Sequence, residues 1–170
     1  MKSRIAFLLA AASFGAIPCL SQTANSCESL IQLKLNGVEI TKAESVPAGV
    51  MIPIPYVGAI GPLPAHCRVD GVMHRRKGMG GEEFGIGFAV ALPTQDAWNG
   101  DFMMQGGGGG NGVVSYPLGA SYTGDKPALA RGFVVASTDT GHKAKTGPFD
   151  ITFMSDQQAY LDFAYQANAE

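Results

Sequence analysis

Residues 98–112 read WNGDFMMQGGGGGNG, and their reading decides the fold. Trp98, Asn99, Gly100 and Asp101 form a turn, with Asn-Gly its strongest local signal. Phe102, Met103, Met104 and Gln105 form a short apolar strand that runs directly into Gly106, Gly107, Gly108, Gly109 and Gly110, then Asn111 and Gly112. Glycine permits positive φ and puts no Cβ between a ligand and the backbone amides. A strand that empties into such a cluster therefore presents bare N–H groups at the end of a sheet. Two chemistries use that arrangement: phosphate binding, and stabilisation of the oxyanion formed during acyl transfer.

The phosphate reading is the weaker one. Gly107, Gly109 and Gly112 do satisfy GxGxxG, but a run this rich in glycine satisfies it almost unavoidably. No Lys-Ser/Thr follows to complete a P-loop, and VVSYPLG after Gly112 holds a proline and a glycine and opens no helix. A purely structural glycine turn stands as the bland alternative.

Outward from this stretch, the elements fall in a telling order. Residues 67–74 (CRVDGVMH) suit a strand. Residues 83–92 alternate, with Phe84, Ile86, Phe88 and Val90 on one face and Gly85, Gly87, Ala89 and Ala91 on the other. With a polar, glycine-rich turn over 75–81 the two form an antiparallel hairpin, whose small-residue face lets another element approach closely. Residues 40–60, punctuated by Pro47, Gly49, Pro53, Pro55 and Gly58, resist helix and read as edge strand or extended loop. Residues 133–137 (FVVAS) lack alternation, as in a parallel strand covered on both faces. A last helix begins at Ser155, whose spacing to Gln158 has capping-box form, with Tyr160, Phe163, Ala164 and Ala167 on one face. Hairpin, strand with glycine loop, then buried strand is the chain order of α/β-hydrolases, in which the loop after the third strand supplies an oxyanion-hole amide. The expected fold class is α/β: the N-terminal part of an α/β-hydrolase fold, an antiparallel hairpin leading into a mostly parallel sheet, incomplete.

Composition excludes several classes. Apolar residues make up 46% and charged residues 15%, enough for a core and too apolar for disorder. Twelve Lys and Arg stand against 14 Asp and Glu, so no basic stripe invites nucleic acid. The N-terminus reads as a signal peptide over residues 1–24: Lys2 and Arg4, an apolar stretch over 5–17, then a polar, small-residue segment with Ala24 the expected last residue. The apolar run is shorter than the roughly 20 residues a span requires, so the alternative of a membrane anchor is disfavoured. The expectation is a secreted or periplasmic domain over 25–170, with no membrane association after cleavage. Loss of the leader removes Cys19 and leaves Cys27 and Cys67, which export favours as a disulfide. Two free thiols are the alternative, and without a CxxC pair a metal site is disfavoured.

Four segments carry a resemblance. HCRVDG at 66–71, WNGDFMMQGGGGGNG at 98–112 and GFVVASTDTGH at 132–142 look like successive signatures of the tannase/feruloyl esterase family, and DFAYQA at 162–167 is similar to the piece preceding that family's nucleophile strand. The resemblance spans most of the chain from Cys27 onward. It implies a carboxylic ester hydrolase that acts on small aromatic, gallate- or ferulate-like esters through a serine acyl-enzyme. Gly109 matches the last glycine of the family's GG-x-G loop, which supplies the oxyanion amide, and Gly108 is its neighbour. Gly107, Gly110, Asp139 and His142 are expected to line the same pocket. Cys27 and Cys67 match a disulfide position. The family's serine lies in a Gly-Cys-Ser-x-Gly-Gly elbow and its Asp and His follow much later. None of the three has a counterpart here, so the chain is expected to end before the nucleophile elbow, to be inactive alone and to leave a sheet edge exposed. No cofactor is expected in this chain; a calcium site would belong to the lid domain beyond it. The reading from a different class is a non-catalytic secreted module that holds a carboxylate in the glycine loop.

Several residues invite other assignments. Ser137, Asp139 and His142 suggest a triad, yet triad partners come from loops after different strands, so this segment reads as a strand-end loop in which Asp139 bonds nearby amides. His66 reads as a local hydrogen-bonding residue, His74 as part of a solvated basic turn, and Trp98 as a packing residue. Glu82 and Glu83 are adjacent in a strand, point to opposite faces and make a poor acid/base pair.

Overall fold

A computed structural model of the chain describes residues 26–54, 58–119 and 126–169. The leader expected at residues 1–24 lies outside the described residues.

The expected hairpin forms, but its first strand runs on through Arg75, Arg76 and Lys77, which the sequence assigns to the turn. Strand β1 (Val38–Val46) pairs antiparallel with β4 (His66–Lys77), which pairs antiparallel with β5 (Glu83–Pro93). Between β1 and β4 the proline-rich segment folds into a separate small hairpin, β2 (Ile52–Ile54) with β3 (Gly58–Ile60). Strands β6 (Phe102–Gln105) and β7 (Val134–Thr138) complete a five-stranded sheet of order β1-β4-β5-β7-β6. β7 inserts between β5 and β6, although β6 precedes it in sequence. A crossover connection of that kind is what a parallel pair demands, and β6 and β7 are indeed parallel.

The sheet differs from the expectation in its balance. Among the described residues the β6–β7 pair is the parallel one, and β1–β4, β4–β5 and β5–β7 are antiparallel. The unalternating run at 133–137 thus has one parallel and one antiparallel neighbour. It lacks alternation because Val135 and Ser137 are fully buried while Val134 and Ala136 on the other face are also partly covered. The architecture is that of the N-terminal part of an α/β-hydrolase fold: the antiparallel leading strands and the first parallel pair.

Both faces of β5 carry load. Ala91 and Val135 pack with Leu63, Leu118, Ala128 and Leu129 in the main core. At the other end of β5, Phe84 packs with Phe153 and Ala159. The small-residue face does admit close approach. A Cβ on Gly87 would lie 2.5 Å from the Asp139 carboxylate, so the end of β7 rests on that glycine.

The C-terminal helix departs from the sequence expectation. Its cap is Asp156, whose carboxylate accepts from the Ala159 amide at 2.9 Å. Ser155 belongs to the preceding 3-10 turn and donates its hydroxyl to Thr152 O. A short α1 (Gln157–Leu161), a π-helical turn (Asp162–Gln166) and α2 (Ala167–Ala169) follow. Ala159, Asp162 and Ala167 are buried and Phe163 packs against the Phe84, Phe153 and Ala159 cluster, so Phe163 and Ala167 of the expected face point inward while Tyr160 and Ala164 do not. Widening one turn to π spacing moves the apolar stripe off the 3.6-residue period on which the expected face was drawn.

A disulfide joins Cys27 to Cys67, with Cα atoms 5.5 Å apart. It ties the N-terminal 3-10 turn (Cys27–Gln32) to β4. Closing a loop of sequence separation 40 contributes about 4 kcal/mol in the chain-entropy view.

Candidate active site

The glycine loop leaves the carboxyl end of β6 and is fastened on one side only. The Gly110 amide donates to Pro148 O at 2.9 Å, and the Gly112 amide donates to Asp139 O at 3.1 Å. The Ala144 amide donates to Gly112 O, and the Asn111 side-chain amide donates to Thr138 O at 2.6 Å. Three of these bonds run to the segment that follows β7 and the fourth to Thr138 at the end of β7 itself. Gly107, Gly108 and Gly109 are exposed, and Gly109 also lies beside Pro148 and Phe149. Among the described residues, no backbone or side-chain acceptor takes the amides of these three. The expected oxyanion donors Gly108 and Gly109 are therefore open N–H groups at a strand's carboxyl end. Gly110 is buried, and its amide anchors the loop.

Gly109 needs to be glycine. Its φ is +58°, and a Cβ there would sit 2.4 Å from Pro148 O. Gly108 has no such constraint: nothing lies within 4 Å of its Cβ position.

Two carboxylates shape the segment on which the loop rests. Asp150 accepts from the Lys145 and Thr146 amides through Oδ2 and from the Thr152 amide and hydroxyl through Oδ1. The Thr152 hydroxyl and these amides hold its carboxyl well below the usual carboxylate range. Asp139 is 3% exposed, and one oxygen accepts from both the Gly87 and Gly141 amides at 2.9 Å. Burial pushes its carboxyl up to about 6, against those amides, which favour the ionised form.

The Asp139 carboxyl thus binds its proton more tightly in the folded chain than its ordinary value of 3.8 allows in the unfolded one. Between those two values the native state carries the extra proton, so stability falls as pH rises through that window. Acidifying from pH 7.5 to 4.5 is expected to add about 2 kcal/mol through this group. Asp139→Asn keeps an oxygen for both amides and removes the charge. It should raise the urea midpoint at pH 7.5 and lose most of that advantage at pH 4.5. Parallel pH dependence of the two proteins would refute the assignment.

Ser137, Asp139 and His142 do not form a relay. The Ser137 hydroxyl donates to Ser115 O at 2.6 Å, and the Asp139 carboxylate is taken by glycine amides. The His142 ring is 3% exposed and stacks on Phe153 with centroids 3.6 Å apart. Neither of its ring nitrogens has a hydrogen-bond partner among the described residues. Burial depresses its basicity. Asp139 and His142 do line a cavity of about 320 Å³ with Arg68, Asp70, Gly87 and Lys143, but its lining includes none of Gly107 to Gly110. The structure therefore separates the residues expected in one pocket into two places, joined through the Asp139 backbone.

Other candidates settle into local roles. His66 is buried between Pro64 O and the Tyr116 hydroxyl, each 2.8 Å from a ring nitrogen. Trp98 is half exposed and donates its indole N–H to Asp101 O, closing the turn into β6. Glu82 pairs with Lys145. Sequence reasoning missed Asp150. Its signal was the spacing to Thr152, an Asx-type pattern in a loop, which reads equally well as any polar turn.

Among the described residues, no helix is long and apolar enough to cross a membrane, and no cluster of three or more His, Cys, Asp or Glu could hold a metal.

Comparisons with known proteins bear on the family and the fold. The chain is 34% identical over 119 residues to mono(2-hydroxyethyl) terephthalate hydrolase of Piscinibacter sakaiensis, covering 66% of this chain and 19% of that protein. It is 34% identical over 159 residues to an uncharacterized esterase of Xanthomonas campestris pv. campestris, covering 93% of this chain and 25% of that one. The chain thus spans about a fifth to a quarter of the length of these curated relatives. Among solved structures it superposes on feruloyl esterase B from Aspergillus oryzae with a TM-score of 0.60 and 26% identity, over 83% of this chain and 26% of that one. An esterase from the same organism matches with a TM-score of 0.55 at 21% identity, which speaks to the fold alone. The family described as tannase and feruloyl esterase matches residues 67–170, a stretch that holds the β4–β5 hairpin, the glycine loop, β7 and the C-terminal helix. On that match the chain belongs to the tannase and feruloyl esterase family.

Proposed function

We propose that this chain is the oxyanion-binding portion of an exported carboxylic ester hydrolase acting on small aromatic esters through a serine acyl-enzyme. Carrying this reading is the row of open amides at Gly107, Gly108 and Gly109, at a strand end, with Gly110 and Gly112 pinned behind them. Amides fixed before the reaction donate to the oxygen as it gains charge and need no reorganisation then. The nucleophile, general base and acid are supplied by residues outside these 170 positions. Supporting this, the Ser137 hydroxyl and the Asp139 carboxylate are hydrogen-bonded elsewhere, His142 is buried in a stack on Phe153, and the chain covers a minor share of its relatives.

The test is direct. The 170-residue chain should neither hydrolyse a chromogenic aryl ester nor be labelled by a serine-directed fluorophosphonate. A longer product that includes a serine elbow should do both. Labelling of the 170-residue chain itself would overturn the division of labour proposed here.

A further inference from the structure

We infer that Phe149 forms the wall against which the aromatic acyl group of the ester lies; this rests on the oxyanion reading of the glycine loop. Phe149 is 80% exposed, an unusual position for a phenyl ring. It is not on a loose tip. Its neighbours on either side both lie against the glycine loop: Pro148 O accepts the Gly110 amide, and Asp150 O lies 2.8 Å from the Cβ position of Gly110. The segment is further fixed by the four hydrogen bonds that the Asp150 carboxylate accepts and by the Asp150 amide donating to Gly147 O. The ring itself stands against Gly109, with Cε1 and Cδ1 at 3.3 and 3.4 Å from that residue's Cβ position. Ile151, 60% exposed, is two residues further on.

A rigidly held, solvent-exposed aromatic therefore touches the residue whose amide faces the reacting oxygen. In an ester the acyl group is bonded to the carbon that carries that oxygen. An acyl ring can thus reach Phe149 while its carbonyl oxygen stays on the amides. An aliphatic acyl group gains less there, because paired aromatic rings attract beyond simple area burial. Aromatic preference is in this way built partly into the sheet-end loop and does not depend wholly on more distant segments.

Glycine-labelled protein gives a readout free of turnover, because the amides of Gly107, Gly108 and Gly109 report on any carboxylate that occupies the oxyanion position. Benzoate and acetate are titrated in parallel, as aromatic and aliphatic product acids. Benzoate is expected to bind about fivefold tighter than acetate. Phe149→Ala should reduce benzoate to the affinity of acetate and leave acetate unchanged, whereas Phe149→Tyr should keep the preference. The ring is exposed, so neither variant disturbs the remaining glycine resonances. If none of the three amides responds to either acid, the oxyanion reading itself fails. If they respond but Phe149→Ala leaves the benzoate preference intact, the inference about Phe149 fails alone.

Discussion

On the proposed oxyanion role, replacing Gly109 by alanine is expected to lower kcat of a longer, serine-containing product by about 10²–10³, the loss associated with one oxyanion donor. Alanine keeps its N–H, so the effect is geometric. The residue sits at φ +58°, and the new methyl would meet Pro148 O at 2.4 Å. Pro148 O is the acceptor that pins Gly110, so it cannot retreat without freeing the loop. The loop must instead turn the Gly108–Gly109 peptide away, which takes the Gly109 amide out of line. Stabilisation of this kind exists only once charge develops on the oxygen, so kcat falls while KM stays nearly constant. Gly108→Ala is the matched control. Nothing lies within 4 Å of its Cβ position, and its turnover should remain within a few-fold of the parent. Equal effects at the two positions, or a Gly109→Ala enzyme within threefold of the parent, would remove Gly109 from the oxyanion site.

The contrast between those two glycines shows where the sequence was legible and where it was not. Strand periodicity marks β5 because its side chains alternate, and the break at Leu92-Pro93 and the Asn-Gly turn mark the entry to β6. These are local signals, each written in neighbouring residues. The order of chemistry along the chain was equally readable, since it needs only a strand followed by glycines. Which glycine is constrained was not. Gly108 and Gly109 are the same letter, and the Pro148 carbonyl that distinguishes them lies 39 positions away from Gly109. Asp139 and His142 mislead for the same reason. They sit close to the glycine loop in the fold through the Asp139 backbone, yet their side chains face a different cavity. The direction of a side chain at a strand's end depends on the turn that follows it. Here that turn is set by the Asp139 carboxylate reaching Gly87, 52 residues upstream. The helix cap moved from Ser155 to Asp156 because Asp156 has a second partner across the fold, which local capping rules do not see.

That second partner makes Asp156 the most sensitive stability position outside the disulfide. Asp156→Ala is expected to cost about 4 kcal/mol, the range for breaking one side of a buried ion pair. Arg76 donates to both carboxylate oxygens, at 2.6 and 3.2 Å, and the pair is largely shielded from water. The same carboxylate caps the Ala159 amide and accepts from the Met79 amide at 3.0 Å. One side chain therefore fastens the C-terminal helix to the turn between β4 and β5. Removing it leaves the guanidinium over the Phe84 ring with no counter-charge, and Arg76 Nε already lacks a partner among the described residues. Removing the cation as well should relieve much of the loss. Arg76→Met with Asp156→Ala is expected to be more stable than Asp156→Ala alone, because the stranded charge is the larger cost. Arg76 holds the carboxyl far below the ordinary carboxylate range. This contribution is therefore fully present above the unfolded value of 3.8 and disappears only as pH falls through the depressed folded value. Denaturant titrations of the parent and the two variants at neutral pH decide the matter. A loss below about 1 kcal/mol for Asp156→Ala, the level of an exposed pair, would show that water reaches the latch and that the helix is held by its apolar contacts with Phe84 alone.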